Sequence, residues 1–81
     1  MLDNILEWFP EEEILKADGF DDAIIGIDDS TMRLIYSVSR CIDILKKDMD
    51  EEEAVEYFNY NVKCAYMGEK TPIWCDDMYM L

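Results

Sequence analysis

The chain has 81 residues, with twenty Asp and Glu against seven Lys and Arg and no histidine, for a formal charge of −13. That length suits one small domain spanning residues 1–81, and a hydrophobic share of 51 % excludes a polar, disordered acidic tail. The missing histidine removes the usual general base, the common zinc sets and the Ser-His-Asp triad.

Leu2, Ile5, Leu6 and Phe9 follow the i, i+3, i+4, i+7 spacing of a short amphipathic helix, with Asp3 or Asn4 available as its cap. Pro10 ends that helix or opens a new turn in which Glu11, Glu12 and Glu13 take the N-terminal positions and Ile14 and Leu15 anchor. Asp18-Gly19 stops it. Ala23-Ile24-Ile25-Gly26-Ile27 and Met32-Arg33-Leu34-Ile35-Tyr36 flank the turn-forming Asp28-Asp29-Ser30-Thr31, which predicts a β-hairpin with a four-residue loop. Strand alternation puts Ile25 with Ile27 on one face and Leu34 with Tyr36 on a face of the second strand. Gly26 then marks a close approach of a backbone or ring.

A second helix starts at Ser37 or Ser39, buries Val38, Cys41, Ile42 and Leu45, and places Lys46 and Lys47 at its C-terminal dipole. Asp50 caps a third helix, with Glu53 completing a capping-box pattern. Its predicted buried stripe is Ala54, Phe58, Val62 and Ala65, widened by Val55 and Cys64, and Gly68 ends it. Tyr57, Tyr60 and Tyr66 lie on its flanks. Thr71-Pro72-Ile73-Trp74-Cys75 is a loop or an edge strand beside the hairpin, where proline is tolerated. The fold expected is α+β: an antiparallel hairpin, with a possible third short C-terminal strand, packed against two or three helices.

Several chemistries find no support in the residues. Three cysteines without C-x-x-C spacing, and no charged leader before an apolar run, point to a reducing cytoplasm rather than a disulfide framework. Cys41 and Cys64 fit helical core positions, and Cys75 is flanked by Asp76 and Asp77 rather than by the cation a nucleophilic thiol favours. The pairs Asp21-Asp22, Asp28-Asp29 and Asp76-Asp77 lack the alternation, central glycine and distal glutamate of a calcium loop, so no metal or other cofactor is expected. No phosphate-binding glycine loop or nucleophile elbow occurs, and no pair of carboxylates stands out for acid–base work; the expectation is a non-enzyme.

The charge is uneven: residues 1–29 carry −9, residues 30–48 carry +2 and residues 49–81 carry −6. Direct nucleic-acid binding and an anionic membrane surface are both disfavoured by that balance. A basic protein surface is the complementary partner, met through long-range attraction and weakened by salt. Closely spaced carboxylates on a folded chain can imitate a phosphate ladder, which carries roughly one charge per 1.7 Å of duplex axis. Glu11, Glu12, Glu13, Asp18, Asp21 and Asp22 form one such edge; Asp50, Glu51, Glu52, Glu53 and Glu56 form another, partly explained by helix capping. Tyr57, Tyr60, Trp74 and Tyr79, with Met67, Met78 and Met80, supply an aromatic and methionine surface, whereas Trp8 and Phe58 are assigned to the core.

Residues 33–42, Arg33-Leu34-Ile35-Tyr36-Ser37-Val38-Ser39-Arg40-Cys41-Ile42, together with Glu56-Tyr57-Phe58-Asn59-Tyr60-Asn61-Val62 and Gly68-Glu69-Lys70-Thr71-Pro72-Ile73-Trp74-Cys75, resemble a group of short conserved hypothetical proteins of tailed bacteriophages. The resemblance covers most of residues 20–75. It implies a setting, the cytoplasm of a bacterial host, and transfers no site residue. Small acidic proteins in that setting are often inhibitors of host defence or of nucleic-acid enzymes. The expected role is therefore a non-enzymatic acidic inhibitor that occupies a basic surface by nucleic-acid mimicry. Two rivals stay open: a structural or homo-oligomeric module that uses its aromatic face while charge serves solubility, and a small carboxylate enzyme.

Overall fold

A computed structural model of the protein describes residues 2–65 and 68–78. In chain order the elements are α1 (Leu2–Trp8), a 3-10 turn (Asp21–Ala23), β1 (Ile24–Asp28), β2 (Arg33–Ser37), α2 (Val38–Leu45), α3 (Glu51–Tyr57) and β3 (Ile73–Cys75). A π-helical stretch, Phe58–Lys63, continues α3. The fold is α+β. Its three-stranded sheet has β2 at the centre, antiparallel to β1 and parallel to β3.

The hairpin follows from its loop chemistry. The Asp28 carboxylate accepts both the backbone N–H (3.0 Å) and the hydroxyl (2.7 Å) of Ser30, and these bonds hold its pKa below the ordinary carboxylate value. Met32 takes the left-handed conformation at φ 56°, a position usually given to Gly or Asn, and donates its N–H to the Asp28 carbonyl at 2.7 Å. The facing of β1 departs from simple alternation. Ile24 pairs with Tyr36 and Ile27 with Leu34, with a bulge between Ile24 and Gly26. The extra residue shifts the phase, so Ile24 and Ile27, rather than Ile25 and Ile27, share the face of Leu34 and Tyr36. A Cβ at Gly26 would meet nothing within 4 Å, so the residue accommodates no close approach of a backbone or ring.

Ser37 joins β2 to α2. It has an extended backbone, and its hydroxyl accepts the Arg40 N–H at 3.2 Å as the helix N-cap. The same hydroxyl donates to Asp77, whose other oxygen accepts the Ser39 N–H at 2.8 Å. A carboxylate from the C-terminal segment thus completes the cap. On α2, Val38, Cys41 and Ile42 are buried and Leu45 packs against the same core, as the 3.6-residue period predicts.

Asp50 starts α3 as expected, accepting the Glu53 N–H at 2.8 Å. Ala54 and Phe58 are fully buried and Val55 and Val62 pack around them, but the predicted continuation to Gly68 does not form. The π-helical widening from Phe58 changes the angular spacing, and the helix ends at Lys63, so Cys64 and Ala65 are exposed rather than core residues. Trp8 is also not in the core. At 80 % exposure it stands in solvent while Ile5 carries the buried face of α1. The indole that packs centrally is Trp74, tilted against Tyr36 (ring centroids 5.2 Å apart) and edge-on to Phe58 (5.4 Å).

Candidate functional site

The segment 10–22, with no strand and only the beginning of a 3-10 turn, is anchored through Ile14, Ala17 and Phe20, which reach the core. The Ala17 N–H donates to the Tyr36 hydroxyl at 2.8 Å, and Phe20 is buried in the core. Burial raises the Tyr36 pKa, although that N–H opposes the shift. Gly19, at φ 91°, turns the chain there. This turn brings Asp18 beside α2 and the π-helical stretch.

Between these elements lies a cleft of about 450 Å³. Its walls include Phe20, Ile44, Leu45 and Val62; Lys16, Asp18 and Asp48 add charge, and Tyr57 and Trp74 add rings. Three residues singled out in the sequence, Asp18, Tyr57 and Trp74, therefore meet in one place although each comes from a different segment. Lys16 is engaged by Asp21 at 3.8 Å, with both side chains about half exposed. The Trp74 indole N–H is buried and has no acceptor among the described residues. An unsatisfied donor of this kind costs about 1–3 kcal/mol relative to a bonded one.

The remaining expected site residues are distributed elsewhere. Glu51, Glu52 and Tyr60 line a shallow groove with Glu56, and Tyr57 and Tyr60 line an adjoining one with Glu53 and Glu56. Tyr60 is 74 % exposed. Glu12 faces a different depression, beside the hairpin loop and Lys70. Glu11, Glu13 and Asp22 are exposed, and Tyr79 lies outside the described residues. Asp48 and Phe20 were not singled out in the sequence, and Leu45 was expected only on the buried stripe of α2. No local pattern joins the three, because only the tertiary approach of residues 16–20 to the end of α2 makes them neighbours.

The protein's cations do little to neutralise its acids. The Arg33 Nε–H donates to the Thr71 carbonyl at 2.6 Å, and the Lys70 ammonium donates to the Thr31 carbonyl at 3.0 Å. These two side chains stitch the hairpin to the approach of β3 instead of pairing with carboxylates. Among the described residues one ion pair forms, Lys16 with Asp21.

Burial, reinforced by the negative field of Asp77, pushes the Cys41 thiol up to about 12, which keeps it protonated at neutral pH. Cys64 is exposed, and Cys75, at the end of β3, is half-buried. Among the described residues no three His, Cys, Asp or Glu side chains group closely enough to hold a metal ion. Likewise, no helix is long and apolar enough to cross a membrane. No protein-family model, curated protein or solved structure matches the chain.

Proposed function

We propose that this chain is a non-enzymatic acidic binding protein, a phage-type inhibitor acting in the bacterial host cytoplasm, that occupies a basic surface of a nucleic-acid-handling or defence protein. The observation that carries this reading is the uncompensated charge. Glu11, Glu12, Glu13, Asp18, Asp22, Glu51 and Glu52 are exposed, and among the described residues Lys16 with Asp21 is the one ion pair. With Arg33 and Lys70 bonded to backbone carbonyls and Lys16 held by Asp21, these three cations leave most of the acids available to a positive partner. The attraction acts at a distance and weakens as salt shortens the Debye length from ~10 Å at 0.1 M to ~3 Å at 1 M.

The test is capture from bacterial lysate on immobilised protein at stepped ionic strength. The expected result is a basic nucleic-acid-handling or defence protein retained at low salt and released at high salt, with retention reduced by charge reversal of Glu11, Glu12 and Glu13. Competition by duplex DNA for the captured protein is the sign of mimicry. A second reading, a self-associating module, is favoured by the exposure of Trp8 (80 %) and Tyr60 (74 %). It predicts a concentration-dependent dimer that survives high salt and is abolished by Tyr60→Ala or Trp8→Ala.

A further inference from the structure

We infer that residues 70–77, with β3 at their centre, form a strap that lifts from the sheet as one unit while the hairpin and helices stay folded. Asp77 is its catch, and the Trp74 indole N–H is the group that favours release. This inference does not rest on the proposed function; it concerns how the core opens.

Sequence and topology make this segment separable. β3 is three residues long and lies at the edge of the sheet, paired with β2 alone. At the entry to the strap, the Lys70 ammonium reaches the Thr31 carbonyl at 3.0 Å from an exposed position, and the Thr71 carbonyl accepts from Arg33. At its exit Asp77 takes the Ser37 hydroxyl and the Ser39 N–H, and bonds to a charged acceptor are stronger than neutral ones. β1 and β2, by contrast, are five residues each and are closed by their own loop. A short edge strand fastened through side chains is the kind of element that opens ahead of the global transition.

The middle of the strap is pulled both ways. The Trp74 ring packs against Tyr36 and edge-on to Phe58, which favours the closed state. The same closure seals the indole N–H from water without an acceptor, so the closed state carries the desolvation cost of an unpaired donor. Lifting the strap returns that N–H to water and removes the cost. Among the described residues it is the one buried side-chain polar atom left without a partner. It therefore sits on a strand whose departure leaves the β1–β2 pairing whole. Release uncovers the faces of Tyr36 and Phe58 together with the indole.

The test is native-state hydrogen exchange on the full chain at urea concentrations below the unfolding transition. The protected amides of residues 73–75, and the Ser39 amide whose acceptor is Asp77, are expected to exchange through a shared opening. That opening should depend on urea more weakly than exchange of the amides that pair β1 with β2. Asp77→Asn should raise it about three- to tenfold. Asp50→Ala, at the α3 cap outside the strap, should speed the hairpin amides about fivefold and leave the strap amides within about twofold. In a Trp8→Phe background, Trp74 is replaced by benzothienylalanine, which keeps the ring shape and lacks the N–H. This change should reduce the opening at least about fivefold.

Strap amides that exchange only with global unfolding, at the urea dependence of the hairpin, overturn the separable strap. So does an Asp50→Ala effect that is equal in strap and hairpin. An opening that the isostere leaves unchanged or increases overturns the role of the indole N–H. If the isostere chain does not fold, the urea dependence and the Asp50→Ala comparison still decide between a strap that opens alone and a core that opens whole. The acidic-binder reading is untouched by these outcomes and stands or falls on the salt-stepped capture.

Discussion

The acids of residues 10–22 and those that open α3 are similarly dense in the sequence, yet the fold treats them differently. At α3, Asp50 bonds the Glu53 N–H, and Glu51, Glu52 and Glu53 occupy the first turn, where the helix dipole favours negative charge. Residues 10–22 follow no regular element until the 3-10 turn, and their described ties run through Ile14, Ala17, Phe20 and the Lys16–Asp21 pair. Glu11, Glu12 and Glu13 make no described hydrogen bond through their carboxylates. One stretch thus uses part of its charge to build structure; the other carries charge that its own fold does not require. Charge that contributes nothing to folding is the better candidate for recognition.

That contrast can be broken at its foundations first. Phe58→Ala removes a fully buried ring that packs α3 against Trp74, and should cost about 3–5 kcal/mol in urea unfolding. Since small domains hold roughly 5–15 kcal/mol in total, that loss is a large share of the whole. A loss below about 1 kcal/mol would mean that α3 is not held as described. Tyr36→Phe acts on the other stretch. It deletes the acceptor of the Ala17 N–H, should cost about 1–3 kcal/mol, and should raise hydrogen exchange selectively in residues 14–20.

Asp77 gives a pH signature. Its hydrogen bonds to Ser37 and Ser39 hold its carboxyl below the ordinary 3.8, so the unfolded chain takes up a proton before the folded one does. Its contribution is therefore complete above that value and is lost as pH falls through the lower, folded-state value. Asp77→Ala should cost about 1–2 kcal/mol at neutral pH and flatten the acid limb of the stability curve measured from pH 6 to 2. Asp50→Ala, at the α3 cap, should cost about 1 kcal/mol. The smallest effect sharpens the comparison most. Replacing Glu11, Glu12 and Glu13 together by Gln should alter stability by less than about 0.5 kcal/mol while reducing low-salt capture of a basic partner.

Local chemistry was legible in the sequence wherever neighbours along the chain do the work. The Asp50 cap, the α2 stripe and the four-residue hairpin loop all depend on residues within one or two turns of each other. What escaped depends on phase or on distance. A single extra residue at the β1 bulge exchanged Ile25 for Ile24 on the core face, and π-helical widening moved Cys64 and Ala65 out of the expected stripe. Of the two tryptophans, the pattern favoured the wrong one for the core. Trp8 sits on a helix whose buried contact is supplied by Ile5, and Trp74 acquires its partners only when β3 pairs with β2. The cleft has the same character. Asp18, Tyr57 and Trp74 were legible as separate candidates, but Asp48 becomes their neighbour only through packing.

Because β3 runs parallel to β2, no tight turn can deliver it, and α2 and α3 occupy the crossover between them. The hairpin can form from nearby residues, whereas Tyr36 must wait for a ring made much later in synthesis. A ribosome that stalls before Ile73 would therefore release a chain with Tyr36 and Phe58 both lacking the indole they pack against. Completion of this small core waits for β3, and a product truncated before it would expose sticky aromatic surface to the cell's proteases and chaperones.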